Sequence, residues 1–403
     1  MQRLKFPKGF LWGAASSAYQ TEGGNINSDW WAWEHSAKRM DYLRDNGKNP
    51  EDYFSSIACD FYNRYDEDIA LAQHLNHNSI RLGVEWSRIE PSEGVFDEKV
   101  LERYEKILQS AKYHGLKVFL TLYHTTLPVW FAKKGGFAKK ANIIYFVDFA
   151  HHAVERFNEY VDFWVTINEP ELYATLSYAL GIFPPQQKKF FLPFFVVNNL
   201  IEAHKRVRAL IKIHSNKPVS MAFNIVDLQP YGFLGEIAVR VIRYFANEYI
   251  LRRTIAHCDY IGVNYYFHHH VGLFGFRKHS HSHHENTDRG WGIHPEGLER
   301  ILLNLRKYKK PVYILENGLA DHTDTHREEY IKKHLYYLHS SIQKGVDVRG
   351  YLYWSLTDNF EWEEGFWPKF GLIEIDREDL LRRKVRYSAT KYAEICRDNG
   401  FDY

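Results

Sequence analysis

The sequence predicts a (β/α)₈ barrel, and three observations carry that prediction. Eight short apolar runs rich in β-branched and aromatic residues recur from end to end, amphipathic helical patterns separate them, and no Pro/Gly/Ser linker or change of composition divides the 403 residues. Near-continuous apolar strands imply burial on both faces, hence a parallel sheet covered by helices. Eight of them alternating with helices is the number that closes a barrel. One catalytic domain over 1–403 is the expectation; a doubly wound open sheet is the alternative that periodicity leaves open.

The runs are FLWGAAS (10–16), SIRLGVEW (79–86), KVFLTLYH (117–124), FWVTINE (163–169), VSMAFNIV (219–226), YIGVNYY (260–266), PVYILEN (311–317) and VRGYLYWSL (348–356). Helices are predicted over 62–78, 100–115 and 327–345, with Gly115 and Gly345 placed to end the last two. Long segments follow the first run (17–57), the sixth (267–295) and the eighth (357–385). In a barrel all three lie on the C-terminal face of the strands, where such folds hold their active sites.

Composition narrows the class. At 45% hydrophobic and 25% charged the chain can bury a large core. Its 16% aromatic content suits a sugar-binding surface and a well-filled core equally. With 52 basic and 50 acidic residues the balance is near neutral, so neither nucleic acid nor an anionic membrane is an expected partner; a homo-oligomer is left open. KKGGFAKKAN (133–142) reads as a solvated loop. Cys59, Cys258 and Cys396 are widely spaced and fit neither a disulfide framework nor a zinc site. The N-terminus lacks the apolar core of a signal peptide and no run is long enough to span a membrane, so a cytoplasmic protein is expected.

Polar residues gather at the strand tips: Gln20 and Glu22, Arg81 and Glu85, His124, Asn168 and Glu169, Asn224, Asn264 and Tyr266, Glu316 and Asn317, then Trp354 with Glu361 and Trp362 beyond it. Singly, each is how a strand ends; as a set they converge on one mouth. Two tips deliver a Glu straight out of an apolar strand, VTINE169 and YILE316. Paired carboxylates across a mouth are what glycoside hydrolysis uses, one as acid on the leaving oxygen and one to attack the anomeric carbon. Emergence from a buried strand partly desolvates each, and proximity raises the pKa of the acid. Asn168 and Asn317 beside them are amides suited to sugar hydroxyls. GxSxG, Walker A, HExxH and GxGxxG signatures are lacking. The histidines at 268–270, 279, 281, 283 and 284 lie in a polar loop without fixed ligand spacing, so no metal is assigned.

In FWVTINEPE (163–171) the two acids are separated by role. Pro170 disfavours the α region for the residue before it, which predicts an extended Glu169 at the strand tip. Glu171, beyond the Pro, reads as a helix-start carboxylate near the positive end of the dipole.

The chain resembles glycoside hydrolase family 1, the β-glucosidase and β-galactosidase family, along its whole length. The resemblance is carried by FPKGFLWGAASSAYQTEGG (6–24), IRLGVEWSRIEPSEGVFD (80–97), WVTINEPELYA (164–174), DYIGVNYY (259–266), GWGIHPEGL (290–298), YILENGLAD (313–321) and GYLYWSLTDNFEW (350–362). It implies a barrel of retaining β-glycosidases without cofactor or metal, acting on a small β-glycoside or oligosaccharide. Glu169 matches the general acid/base and Glu316 the nucleophile. Gln20, His124, Asn168, Glu361 and Trp362 match hydroxyl-binding positions, and Trp354 the aromatic platform under the ring. Arg81 and Tyr266 match neighbours of the nucleophile, Asn264 a residue in contact with the sugar site, and Phe370 an aromatic near the entrance. A carboxyl separation of about 5 to 5.5 Å goes with retention.

Departures are also visible. Thr125 stands where the family has Trp, opening the edge of the sugar site near His124; Gly83 replaces a usual Ser and Lys369 a common Arg. The acid/base Glu separates the chain from plant myrosinases. Glu361 occupies the region where the phosphosugar branch carries Ser and a basic residue, so a non-phosphorylated sugar is expected. Glucose, galactose, fucose, mannose and glucosamine, and transfer rather than hydrolysis, are left open, as is a sugar-binding barrel without catalysis.

Overall fold

A computed structural model describes residues 3–232, 235–272, 275–277 and 286–403. All eight predicted runs form strands: β1 (Leu11–Ala15), β2 (Ser79–Gly83), β3 (Lys117–Tyr123), β4 (Phe163–Asn168), β5 (Val219–Asn224), β6 (Ile261–Asn264), β7 (Val312–Glu316) and β8 (Val348–Trp354). Each pairs in parallel with its sequence neighbours, and β8 pairs with β1, so the sheet closes on itself. Closure excludes the doubly wound alternative.

The predicted helices are present as Phe61–His74, Glu98–Tyr113 and Arg327–Gln343. Gly115 and Gly345 adopt the left-handed conformation one residue past the helix caps His114 and Lys344, as expected of helix-ending glycines. Outward strand residues such as Val118, Leu120 and Ile167 bury against helix residues such as Ile107, Phe149 and Val207. Inside the barrel, Phe119 and Phe163 stack at 4.2 Å beside Tyr260 and Tyr313. These rings plug the lower half and separate the space at the C-terminal end from a hollow at the strand starts, lined by Lys117, Phe163, Tyr313 and Val348.

The chain's extra length is on that end, and more widely than predicted. Besides the three expected insertions, residues after β4 form the short helix Pro170–Ala174 ahead of the long helix Leu192–His214. Residues after β5 form strand Asp227–Pro230 and helix Gly235–Arg243. That strand pairs with His268–Gly272, so His268, His269 and His270 belong to a small sheet rather than to a polar loop. Their backbone finds ladder partners there, and the ring of His268 is buried, stacked 3.8 Å from His294. His279, His281, His283 and His284 lie outside the described residues. KKGGFAKKAN is not simply a solvated loop: it coils into short helical turns because Phe137 inserts fully into the core while the lysines stay outside. Cys59, Cys258 and Cys396 are buried and unbridged. Among the described residues no helix is long and apolar enough to cross a membrane.

Candidate active site

A cavity of about 970 Å³, open to solvent, sits over the aromatic plug. Its walls include Gln20, His124, Asn168, Glu169, Tyr266 and Glu316, together with Trp354, Glu361, Trp362 and Phe370. Ten of the twelve predicted site residues therefore converge on one space. The other two, Arg81 and Asn264, are fully buried behind its wall and act on the residues that line it.

Both acid-bearing strands change register at their tips. β4 shifts against β5 between Val165 and Asn168, and β7 shifts against β6 between Ile314 and Glu316. Such irregularities turn the following side chain out of strand alternation. Glu316 receives bonds on both oxygens: the Arg81 guanidinium meets Oε1, and the Tyr266 hydroxyl donates to Oε2 at 2.7 Å. Burial, then the charges of Glu316 and Glu169, hold the Tyr266 phenol well above its ordinary pKa, so it stays a donor. Gly318 follows in ENG because a Cβ there would overlap the Trp354 carbonyl.

Glu169 accepts one bond, from Asn264 Nδ2 at 2.8 Å. Burial and the neighbouring Glu316 charge push its carboxyl well above the usual range, against the lowering effect of Asn264. It is not extended as the sequence suggested: φ is 44° and ψ 58°. Pro170 bars the right-handed region, yet the chain must turn from strand to helix here. The left-handed conformation lets Glu169 donate its N–H to Ala222 and accept from Tyr173 N–H. Thr125 and Trp362 also have positive φ, 74° and 53°, so three residues of the cavity wall hold disfavoured backbone.

Asn168 links the two halves. Its Oδ1 accepts from Arg81 Nη2 at 2.7 Å and from Asn264 at 3.2 Å, and its Nδ2 points to His124 Nε2 at 3.0 Å. Burial and the Arg81 charge depress the His124 pKa, so the ring is neutral, and this network assigns its proton to Nδ1. On the opposite side Gln20 is buried, accepting from Ser17 Oγ at 2.6 Å and donating to the Phe360 carbonyl at 2.9 Å. The Trp362 ring lies parallel to Tyr19 at 6.1 Å, and Trp354 faces His124 at 6.1 Å. Phe370 is buried in the cavity wall, 6.4 Å from both Tyr266 and Trp291.

Other tip residues are taken up by packing. Asn317 donates to the Tyr265 carbonyl and the Tyr330 hydroxyl and accepts from Tyr351. Glu22 is bound by Tyr104 and Arg88, and Glu85 by Ser87 and Thr126. Glu171 does begin a helix, but its Oε1 is taken by the Asn224 N–H at 2.7 Å and burial pushes its carboxyl up to about 8. At neutral pH it is mostly protonated rather than a dipole-stabilised anion.

Arg289 and Trp291, from the segment after β6, were missed by sequence reasoning. Arg289 reaches Glu361 Oε1 at 3.2 Å and Glu364 at 2.7 Å, with its guanidinium 4.1 Å over the Trp291 ring. Burial lifts the Glu361 carboxyl to about 7 although Arg289 pulls it down. The stretch GWGIHPEGL already contained Trp291; Arg289 stands immediately before it.

Two acids in a barrel mouth, one bonded on both oxygens and one whose pKa is raised by burial, have the layout of a glycosidase, and comparison with known sequences decides the family. The glycosyl hydrolase family 1 profile matches residues 2–272 and 254–401. The chain belongs to glycosyl hydrolase family 1. This family 1 chain is 30% identical to beta-glucosidase A of Thermotoga maritima, with all of both chains covered. It superposes on the solved beta-glycosidase of Pyrococcus horikoshii with a TM-score of 0.90 at 34% identity, covering 100% of this chain and 97% of that one. It is also 33% identical to the galactolipid galactosyltransferase SFR2 of Arabidopsis thaliana over 84% of its own length, but it spans only 58% of that protein.

Proposed function

We propose that the protein is a retaining β-glycosidase that removes a terminal, non-phosphorylated β-linked sugar of the glucose or galactose type. The observation that carries this reading is the unequal treatment of the two mouth acids. Glu316 is fixed by Arg81 and Tyr266, whereas Glu169 accepts only from Asn264 and its pKa is raised by burial and by the charge of Glu316.

In the first step a Glu316 oxygen attacks the anomeric carbon. The bond to the leaving oxygen breaks and Glu169 delivers its proton there. Glu169, now ionised, then takes a proton from water, whose oxygen displaces Glu316 and releases the sugar with its configuration retained. Gln20, His124, Asn168, Glu361 and Trp362 hold the hydroxyls over Trp354. The carboxyls of Glu361, Glu363 and Glu364 outnumber the neighbouring Arg289 and Arg39, which makes that end unfavourable for a sugar phosphate.

The test is a pair of amides. Glu316→Gln is expected to lose activity on every β-glycoside, and Glu169→Gln to fail on poor leaving groups while retaining turnover of activated aryl glycosides. Equal, mild effects would reject the assignment. A panel of p-nitrophenyl β-glycosides then settles the sugar. The likeness to a galactosyltransferase supports a second outcome from the same glycosyl-enzyme, transfer to a sugar hydroxyl in place of water; product analysis separates the two.

A further inference from the structure

Two excursions on the mouth side of the barrel carry large apolar side chains that none of the described residues covers. Phe190 and Phe191, leading into helix Leu192–His214, are 90% and 72% exposed, and Phe194 and Phe195 follow on its first turn. On helix Gly235–Arg243, Val239 is buried and Ile242 packs inward against the cluster of Leu228 and Val271. Ile237 and Val241 stand one turn apart on the outer side, and Phe245 continues them at 60% exposure. A surface helix needs one apolar stripe to dock on its own protein; this one carries a second, facing out.

The two excursions form one face. The Tyr249 ring contacts Phe194 at 5.7 Å, Tyr244 at 6.1 Å and Phe245 at 6.3 Å. The face also borders the cavity. Leu176 and Phe183 line the cavity wall, and the Lys189 N–H is bonded to the Tyr178 carbonyl, which ties the segment leading to Phe190 to the helical stretch that carries Leu176. Scattered exposed hydrophobic residues are ordinary, but a contiguous aromatic face at the rim of a site marks a docking surface.

Charge selects the occupant. Lys188, Lys189 and Arg240 are exposed around the aromatics and form no salt bridge among the described residues. Arg253 lies 5.2 Å from the Tyr249 ring centroid, while Glu248 is already held by Arg252 and Lys307. The near-neutral total charge thus conceals a local basic rim. A second copy packed face to face would set these cations against each other. An anionic lipid surface matches both features, since exposed aromatics enter the interface and Lys and Arg meet the headgroups. We propose that this face docks the protein on an anionic bilayer and sets the mouth against glycosides whose aglycone is embedded there. The docking stands by itself; the choice of substrate rests on the glycosidase reading above.

The experiment is co-sedimentation with vesicles of phosphatidylcholine alone and of phosphatidylcholine with phosphatidylglycerol. It compares the wild type with Phe190→Ser/Phe191→Ser/Phe195→Ser and with Lys188→Glu/Lys189→Glu. The wild type is expected to bind the anionic vesicles, less so in high salt. The triple Ser variant should lose about tenfold or more of that partition, and the Glu variant should lose the preference for phosphatidylglycerol. Both variants should turn over a soluble aryl β-glycoside as the wild type does, which shows that they fold. Hydrolysis of a long-chain alkyl β-glycoside held in the vesicles should fall in the Ser variant. Absence of binding to either vesicle, or binding undiminished in both variants, overturns the proposal. So does a wild-type dimer that the Ser substitutions split without any vesicle binding. Vesicle binding without glycoside turnover upholds the docking and rejects the glycosidase reading; turnover without vesicle binding does the reverse.

Discussion

Arg81 Nη2 and Asn168 Oδ1 are joined by a 2.7 Å hydrogen bond, and through it one guanidinium serves both sides of the mouth. The same group holds Glu316, and by fixing the Asn168 amide it sets which nitrogen of His124 carries the proton. Removing Arg81 breaks a buried ion pair and leaves Asn168 free to flip. Arg81→Met is expected to lower kcat by about 10²–10³ and to cost roughly 3–5 kcal/mol of stability. Arg81→Lys should recover little, because a single ammonium cannot span Glu316, Asn168 and Thr121 at once. Aryl-glycoside kinetics with denaturant melts check both; a fully active Arg81→Met would show that the network is not used.

The barrel was legible because its signal is local: each strand is a continuous apolar run, and β4 and β7 announce their acids at the first polar position. What was not legible depends on the fold. Asn317 looks like Asn168 in sequence, yet three tyrosines' worth of surrounding polar groups absorb it. Arg289 comes from a loop 72 residues before Glu361, and nothing in either stretch predicts that they meet. Glu169 obeyed the rule that Pro170 imposes, but the rule only excludes right-handed helix; the need for a turn chose the left-handed alternative.

The Arg289–Glu361 pair predicts a pH-dependent affinity. Glu361 titrates at about 7, and only its ionised form offers both oxygens to sugar hydroxyls. KM should therefore rise as pH falls through about 7. Arg289 lowers that pKa, so Arg289→Met should displace the rise to higher pH while leaving kcat at high pH nearly unchanged. Michaelis curves across neutral pH, wild type against variant, make the comparison. Superimposable KM profiles would disconnect Arg289 from sugar binding.

Buried acids should also shape stability. Asp29, with Oδ1 accepting the Leu127 N–H at 2.8 Å, is pushed by burial up to about 8, and Glu22 and Glu34 to about 7. Each folded-state pKa lies above its unfolded value, so the native protein retains protons that the unfolded chain has released. Their stabilising contribution is complete below the unfolded pKa and is lost as pH rises toward 8. Each group can weaken the fold by up to roughly 1.4 kcal/mol per pH unit across its window. Melting temperature should decline from mildly acidic to mildly alkaline pH. Asp29→Asn, which keeps the acceptor and removes the titration, should flatten that decline, and an unchanged slope would refute the attribution.

Thr125 is the last test, because its position combines strain with the cavity edge. It is buried, its carbonyl accepts from the Tyr123 hydroxyl at 3.1 Å, and its φ of 74° is disfavoured for a β-branched residue. Left-handed backbone of this kind costs of order 1–3 kcal/mol, and glycine adopts it without that cost. Against the relief stands the extra freedom of glycine in the unfolded chain, about 0.5–1 kcal/mol. Thr125→Gly should accordingly be as stable as the wild type or more stable by about 1 kcal/mol, although it deletes a buried side chain. It should also widen the cavity edge beside His124 and so lower KM selectively for glycosides with bulky leaving groups. Equilibrium unfolding and a leaving-group series measure the two effects separately. A loss of stability would mean that the Thr125 methyl and hydroxyl contacts outweigh the backbone term.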